Sequence, residues 1–205
     1  GNSKDKTKLI LRKYKNKLKI ISENDSGLYD AMNKGIRLAQ GDIIGILNSD
    51  DYYYPNALKI IKNYFSMKPK IDFVFGSAIK YNKIQSGFFP WKIYWTFGFY
   101  STHSVGFFIK KKSQKKLGFY NIKYKYSADY DLFYRMIVKK KMRGIATKKN
   151  ELIGYFRPGG ISDKIKYIEY LNESTRIRLD NKQNYFLVML IHLMRYLKRV
   201  QLIKS

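Results

Sequence analysis

The chain has 205 residues, 45% apolar and 17% aromatic, with 41 Lys and Arg against 15 Asp and Glu for a net charge of +26. So much apolar and aromatic side chain excludes a disordered tail, and the length suits one domain with an appendage rather than two full domains. The absence of cysteine excludes disulfide frameworks, thiol catalysis and Cys-ligated metal or redox centres, while the charge points to an anionic partner such as nucleic acid, anionic lipid or a phosphorylated small molecule, unless it reflects only AT-rich codons.

No apolar run approaches the ~20 residues that span a bilayer, and Gly1-Asn2-Ser3-Lys4-Asp5 is not a signal peptide. Thr7, Ile10, Leu11 and Tyr14 fall at helical spacing and predict a first helix over Ser3–Tyr14. A strand is expected over Leu18–Ser22. A second helix follows from about Ser26, with Leu28, Met32, Ile36 and Ala39 on one face and Gly41 as its stop. Asp42–Leu47 is nearly all apolar, β-branched and too short for a buried helix, so it reads as a central parallel strand. It runs into Asn48-Ser49-Asp50-Asp51.

Pro55 is placed to open a third helix that buries Leu58, Ile61 and Phe65, and Ile71–Gly76 returns as a strand. This alternation predicts an α/β fold with a mainly parallel, Rossmann-like sheet flanked by helices. Residues 77–125 are aromatic and irregular, with strands expected at Ser77–Tyr81 and Val105–Ile109 and a short helix at Lys111–Leu117. A helix over Ala128–Lys140 and strands at Met142–Thr147 and Leu152–Phe156 come next, before the turn-forming Pro158-Gly159-Gly160. The division expected is a domain over residues 1–162 and a basic helical tail over 163–205. Within the tail, helices are expected at Asp163–Asp180 and Tyr185–Ile203. The second of these has an apolar entry and a basic exit, which suits either an anionic membrane interface or a packing or dimer face.

In an open α/β sheet, ligands bind beyond the carboxyl ends of the strands, where Asp50 and Asp51 fall. Two adjacent carboxylates there suit Mg²⁺ or Mn²⁺ shared with substrate phosphates; the alternative is a solvated turn before a helix. The wider pattern resembles the inverting family 2 glycosyltransferases of the GT-A fold, particularly bacterial polysaccharide enzymes of the colanic-acid type. The resemblance rests on the run Ser22–Ile36, Ala39-Gln40-Gly41-Asp42 and Leu47-Asn48-Ser49-Asp50-Asp51. It continues through His103, Gly106-Phe107-Phe108, Leu117-Gly118-Phe119-Tyr120, Ala128-Asp129-Tyr130-Asp131-Leu132, Arg135 and Gly159-Gly160-Ile161-Ser162.

That resemblance implies sugar transfer from a nucleotide-diphosphate donor, a UDP-sugar, to an acceptor hydroxyl with inversion, in surface polysaccharide biosynthesis. It implies Asp50 and Asp51 as metal ligands, Asp129 as the base, and donor or acceptor contacts at Asp25, Lys34, Asn48, Asp50, His103 and Asp131. Asp129 could instead cap the helix that follows it, and Asp131, two residues on, should point away from the same site. Ala128 departs from the acidic residue that often precedes the base in relatives. The acceptor implied is lipid-linked or a glycan, and the place of work is the cytoplasmic face of a membrane with an anionic surface, peripherally bound. The family's opening strand-helix-strand unit is expected to be missing, so an inactive, degenerate or truncated product is the main alternative. A basic nucleic-acid-binding module is another, though no nucleic-acid motif occurs and no nucleic acid is expected as partner.

Overall fold

A computed structural model of the protein describes residues 2–95, 98–160 and 165–204. The first half contains α1 (Thr7–Arg12), α2 (Leu28–Leu38), β1 (Ile43–Gly45), β2 (Tyr52–Tyr53), α3 (Ala57–Met67), β3 (Phe73–Phe75), β4 (Ser77–Lys80) and β5 (Lys83–Gln85). A short 3-10 helix (Pro90–Tyr94) leads to β6 (Phe107–Lys110), α4 (Lys111–Leu117) and α5 (Ala128–Tyr134), which continues as a π turn over Arg135–Lys139. Next come β7 (Gly144–Ala146), β8 (Leu152–Phe156), α6 (Tyr167–Asp180) and α7 (Tyr185–Lys204).

The main sheet has the order β1-β6-β3-β7 and a smaller one the order β2-β8-β4-β5. Side chains of the main sheet alternate between its faces, as strand geometry requires. Ile44, Phe73, Phe75, Phe107 and Ile109 pack in one cluster with Met32 and Ile36 of α2 and Leu132 and Phe133 of α5. Val74 and Phe108 face the other way, against Ala57, Ile61 and Phe65 of α3. Burial of these faces from both sides is what makes the strands read as continuous apolar runs rather than alternating ones.

The α/β class holds, and the structure corrects several details, the first being that the run expected as a central parallel strand forms β1 at the edge of the sheet, antiparallel to β6. The sheet is mixed rather than mainly parallel: β6 pairs antiparallel with both β1 and β3, while β3–β7 and β4–β8 are parallel. Strands β1 and β3 do run the same way around the α3 crossover, but β6, returning from the long aromatic loop, inserts between them. Leu18–Ser22 joins no ladder among the described residues, and Leu18, Ile20 and Ile21 are exposed. Leu58 is also exposed, because the buried face of α3 runs through Ala57, Ile61 and Phe65, and the helix starts at Ala57, with Asn56 in the N-cap position and Pro55 ahead of it.

Helix α6, after β8, enters the same core. Ile177 of α6 belongs to the main cluster, and the Glu173 carboxylate accepts backbone N–H bonds from Lys125, Tyr126 and Ser127 at 2.6–2.7 Å, fixing the approach to α5. Among the described residues no helix is long and apolar enough to cross a membrane.

Candidate functional site

The site begins where β1 ends. After Ile46 the chain turns, with the Asp51 amide donating to the Asn48 carbonyl at 3.2 Å. Facing this turn is the segment entering β6, where the Gly106 amide donates to the Ser104 carbonyl at 2.8 Å around Val105. Val105 sits at φ 71° and is fully buried, a γ-turn of the strained positive-φ kind that β-branched residues seldom adopt. Its amide donates to the Ile46 carbonyl at 3.1 Å. The strain is held by this bond and by Thr102, whose hydroxyl donates to the Ser104 carbonyl at 2.8 Å. The two residues before Val105, His103 and Ser104, send their side chains to different partners.

Ser104 serves the acid pair. Its hydroxyl donates to Asp51 Oδ2 at 2.5 Å and accepts from the Asn48 amide at 3.0 Å. The Arg157 amide, just after β8, donates to Asp51 Oδ1 at 2.9 Å. Burial pushes the Asp51 carboxyl above its ordinary value; the Ser104 and Arg157 donors pull it back, and the neighbouring Asp50 charge pushes it up again. Asp50 is more exposed, and its Oδ2 lies 3.6 Å from where a side chain on Gly160 would begin. The chain leaving β8 therefore passes over both acids. Ile161 and Ser162, expected in the same loop, lie outside the described residues.

His103 serves the other half. Its Nε2 and the Tyr120 hydroxyl share a 2.6 Å hydrogen bond, and its ring packs edge-on to Phe133. Burial lowers the imidazole's pKa and the Asp129 charge raises it, burial being the larger effect. Asp129 itself lies in the first turn of α5; Ser127 holds the N-cap position without a side-chain cap bond. Its Oδ1 accepts from the Tyr29 hydroxyl at 3.2 Å and the Tyr130 amide at 2.9 Å, and its Oδ2 from the Tyr100 hydroxyl at 3.3 Å. Burial and the Asp129 charge hold the Tyr29, Tyr100 and Tyr120 hydroxyls well above the ordinary tyrosine range, so they remain donors. Ser104, Tyr100 and the Arg157 amide went unanticipated. Tyrosine is abundant throughout this sequence, and no spacing marks these members of it.

The remaining expected site residues divide. Asp25 and Lys34 line one hollow of about 330 Å³ beside α2, with Glu23 and Leu38. There Lys34 is occupied: it pairs with Glu23 at 3.1 Å and Asp30 at 3.3 Å and donates to the Asn24 carbonyl at 2.6 Å, so it holds the loop before α2. Asp131 points into the fold, its Oδ2 paired with Arg135 Nε at 2.9 Å and its Oδ1 accepting from Asn181 at 2.9 Å. A second hollow of about 410 Å³, lined by Tyr29, Tyr126, Leu28 and Ile122, opens beside the Asp129 cluster. Neither hollow is lined by Asp50, Asp51 or Asp129.

No group of three or more His, Asp or Glu among the described residues is arranged to hold a metal ion. The pair Asp50–Asp51 nonetheless suits a hard divalent cation: two carboxylates repel each other, one of them buried, and Mg²⁺ typically takes one or two carboxylates with the rest of its shell from water and phosphate.

Comparisons with known proteins bear on the family and the fold. Residues 1–128 match the family described as "Glycosyl transferase family 2". A Mycobacterium bovis protein named "PGL/p-HBAD biosynthesis glycosyltransferase" is 27% identical over 179 residues, covering 78% of this chain and 64% of that protein. An uncharacterized glycosyltransferase of Rickettsia typhi is 27% identical over 148 residues, covering 66% of this chain and 46% of its own length. The chain thus spans less than two thirds of the length of these relatives. Among solved structures, S. aureus TarS in complex with UDP-GlcNAc aligns over 93% of this chain and 59% of its own, with TM-score 0.62 and 17% identity. The same protein in complex with UDP aligns with TM-score 0.61 and 15% identity, over 93% and 57% of the two chains. At that identity the likeness is one of fold.

Proposed function

The chain belongs to glycosyltransferase family 2, and from that membership we propose that it moves a sugar from a UDP-sugar to an acceptor hydroxyl with inversion at the anomeric carbon. The observation that carries this reading is the adjacency of Ser104 and His103: Ser104 is bonded to Asp51, and His103 lies within the field of Asp129. Two carboxylate centres of different character are thereby set on either side of one dipeptide. The complexes of TarS with UDP-GlcNAc and UDP support the choice of donor.

In this reading Asp50 and Asp51 would hold a Mg²⁺ or Mn²⁺ ion, which supplies neutralisation of the charge that develops on the departing nucleoside diphosphate. Asp129 accepts the proton of the acceptor hydroxyl as that oxygen attacks the anomeric carbon. Tyr29 and Tyr100 orient the Asp129 carboxylate through their hydroxyls, and Tyr120 orients His103. Asp25 and its hollow accommodate the nucleoside end of the donor. The hollow of Leu28, Tyr29 and Tyr126, next to Asp129, receives the acceptor, a lipid-linked or glycan hydroxyl in the assembly of a surface polysaccharide at the cytoplasmic face of a membrane.

The test is calorimetric titration of UDP and a panel of UDP-sugars into the chain with and without Mn²⁺. Binding is expected only with the metal and is expected to vanish in Asp50→Ala and Asp51→Ala. Metal-independent binding that survives both substitutions would rule this reading out.

A further inference from the structure

Both tryptophans of the chain lie on one short turn, and both are exposed: Trp91 at 64% and Trp95 at 48%. Phe89 and Tyr94 are exposed beside them. The turn is well anchored. Ile93 is fully buried, the Phe89 amide donates to the Phe99 carbonyl at 2.6 Å, and Phe88 and Tyr100 form an antiparallel bridge at its base. Large aromatic side chains held outward on a rigid base are not accounted for by the core. Lys92 lies over the rings of Phe89 and Trp91, at 4.3 and 5.4 Å, so a cation sits among the exposed aromatics.

The turn is bound to the C-terminal helices. The Tyr94 carbonyl accepts from Arg178 and from Gln183, and the Trp95 carbonyl accepts from Arg195 of α7. On α7, Val188 and Ile191 face the protein, and Thr175 of α6 bonds His192 at 2.9 Å. Phe186, Leu190, Leu193 and Leu197 recur at steps of four and three on the opposite side, flanked by Met189 and Met194, all exposed, with Phe186 at 81%. No acidic residue occurs in 185–205, whereas Arg195, Lys198 and Arg199 do.

We propose that the outward stripe of α7 and the Pro90–Trp95 turn form one docking face for an anionic lipid bilayer, with the apolar side chains in the headgroup–acyl boundary. The charge argues for this occupant over a second copy of the chain. A copy would bring its own +26 and the same acid-free helix, whereas an anionic surface complements both. Aromatic rings at a helix-flanking turn and lysine and arginine at its margin are the side chains that such an interface favours. The face is also connected to the site, because Tyr100, at the base of the turn, donates to Asp129. An acceptor embedded in lipid would thus be presented on the side where Asp129 lies. The proposal names the surface on which the proposed transferase works, but it rests on exposure and charge rather than on the transferase reading.

The test uses the full chain and vesicles of phosphatidylglycerol and phosphatidylcholine, without donor. Because Trp91 and Trp95 are the only tryptophans, intrinsic fluorescence reports on the turn alone. The expected result is co-sedimentation with the anionic vesicles, a shift of emission to shorter wavelength, and quenching by brominated acyl chains. Phe186→Ser with Leu190→Ser and Leu193→Ser is expected to lower partitioning by about tenfold or more. Leu58→Ser, at an exposed leucine on α3, is expected to leave it unchanged, and circular dichroism checks the fold of each variant. Three results would each overturn the proposal. One is no binding. Another is binding with unmoved tryptophan emission, as for contact through the basic hollow of Lys70, Lys110, Lys112, Lys116, Lys140 and Arg143. The last is a dimer in sedimentation that dissociates in the triple serine variant. UDP binding in the same samples stays independent of these outcomes, so failure of the docking face and failure of the donor site are told apart.

Discussion

At the scale of single residues, the two carboxylates that matter differ in what surrounds them. Asp129 accepts three hydrogen bonds, from Tyr29, Tyr100 and Tyr130. Asn at this position keeps acceptor geometry for one oxygen and removes the base. Asp129→Asn is therefore expected to lower kcat by roughly 10²- to 10⁴-fold, with UDP binding unchanged in the same titration. Asp51 is the opposite case, a carboxylate whose burial disfavours its charge. A carboxyl with a folded pKa above its unfolded one contributes stability that is full below the unfolded value and lost as pH rises through the folded value. Asp51→Asn, which still offers one acceptor and one donor to Arg157 and Ser104, is expected to melt no lower than the wild type at neutral pH without metal. The wild type should gain on this variant as pH falls through the carboxylate range. Thermal melts across that range check the sign, and metal-dependent UDP binding should be lost in the variant throughout.

At the scale of elements, the site depends on close approaches between strands. A side chain built on Gly154 of β8 would come within 2.2 Å of the Tyr52 carbonyl of β2, one residue past Asp51, and within 2.8 Å of Val105. Backbone cannot swing aside as a side chain can. On Gly144 of β7 the atoms nearest the added one belong to the Phe73 ring, the closest at 2.0 Å, toward the far end of the sheet. Both alanine variants overpack and should lose about 1–3 kcal/mol of stability. Only Gly154→Ala is expected to weaken metal-dependent UDP binding as well, because it displaces the strand that fixes Asp51. Chemical denaturation together with calorimetry separates the two effects. The sequence marks both glycines equally, and the difference between them lies wholly in what stands opposite.

At the scale of the whole molecule, the net charge of +26 acts on the fold as well as on partners. Self-repulsion disfavours the compact state and is screened by salt, with a Debye length of about 30 Å at 0.01 M and about 10 Å at 0.1 M. The melting temperature of the free protein is therefore expected to rise as sodium chloride is raised across that interval, measured by calorimetry at neutral pH. A flat dependence would show that the positive charges are spaced too widely to repel, and a falling one that attractive pairs outweigh the repulsion. The same charge distribution is why a basic hollow at one end of the sheet and the α7 stripe need separate readouts when anionic surfaces are tested.

Local pattern determined much of this protein. Lys111–Leu117 and Leu152–Phe156 have the bounds that helical spacing and turn signals assign them, and the apolar run before Asp50 and Asp51 does form a strand, though over Ile43–Gly45 only and at the sheet edge. Those features depend on neighbours a few residues apart. The insertion of β6 between β1 and β3, the role of Ser104 as the tie to Asp51, the occupation of Lys34 by Glu23 and Asp30, and the gathering of Tyr29, Tyr100 and Tyr120 near Asp129 were decided only by the tertiary structure. Strands of similar apolar content give no sign of which edge they will meet, and a tyrosine's partner is set by residues up to a hundred positions away. Burial and pairing are properties of the packed chain, so the residue types carried the chemistry, and long-range contact assigned each of them its work.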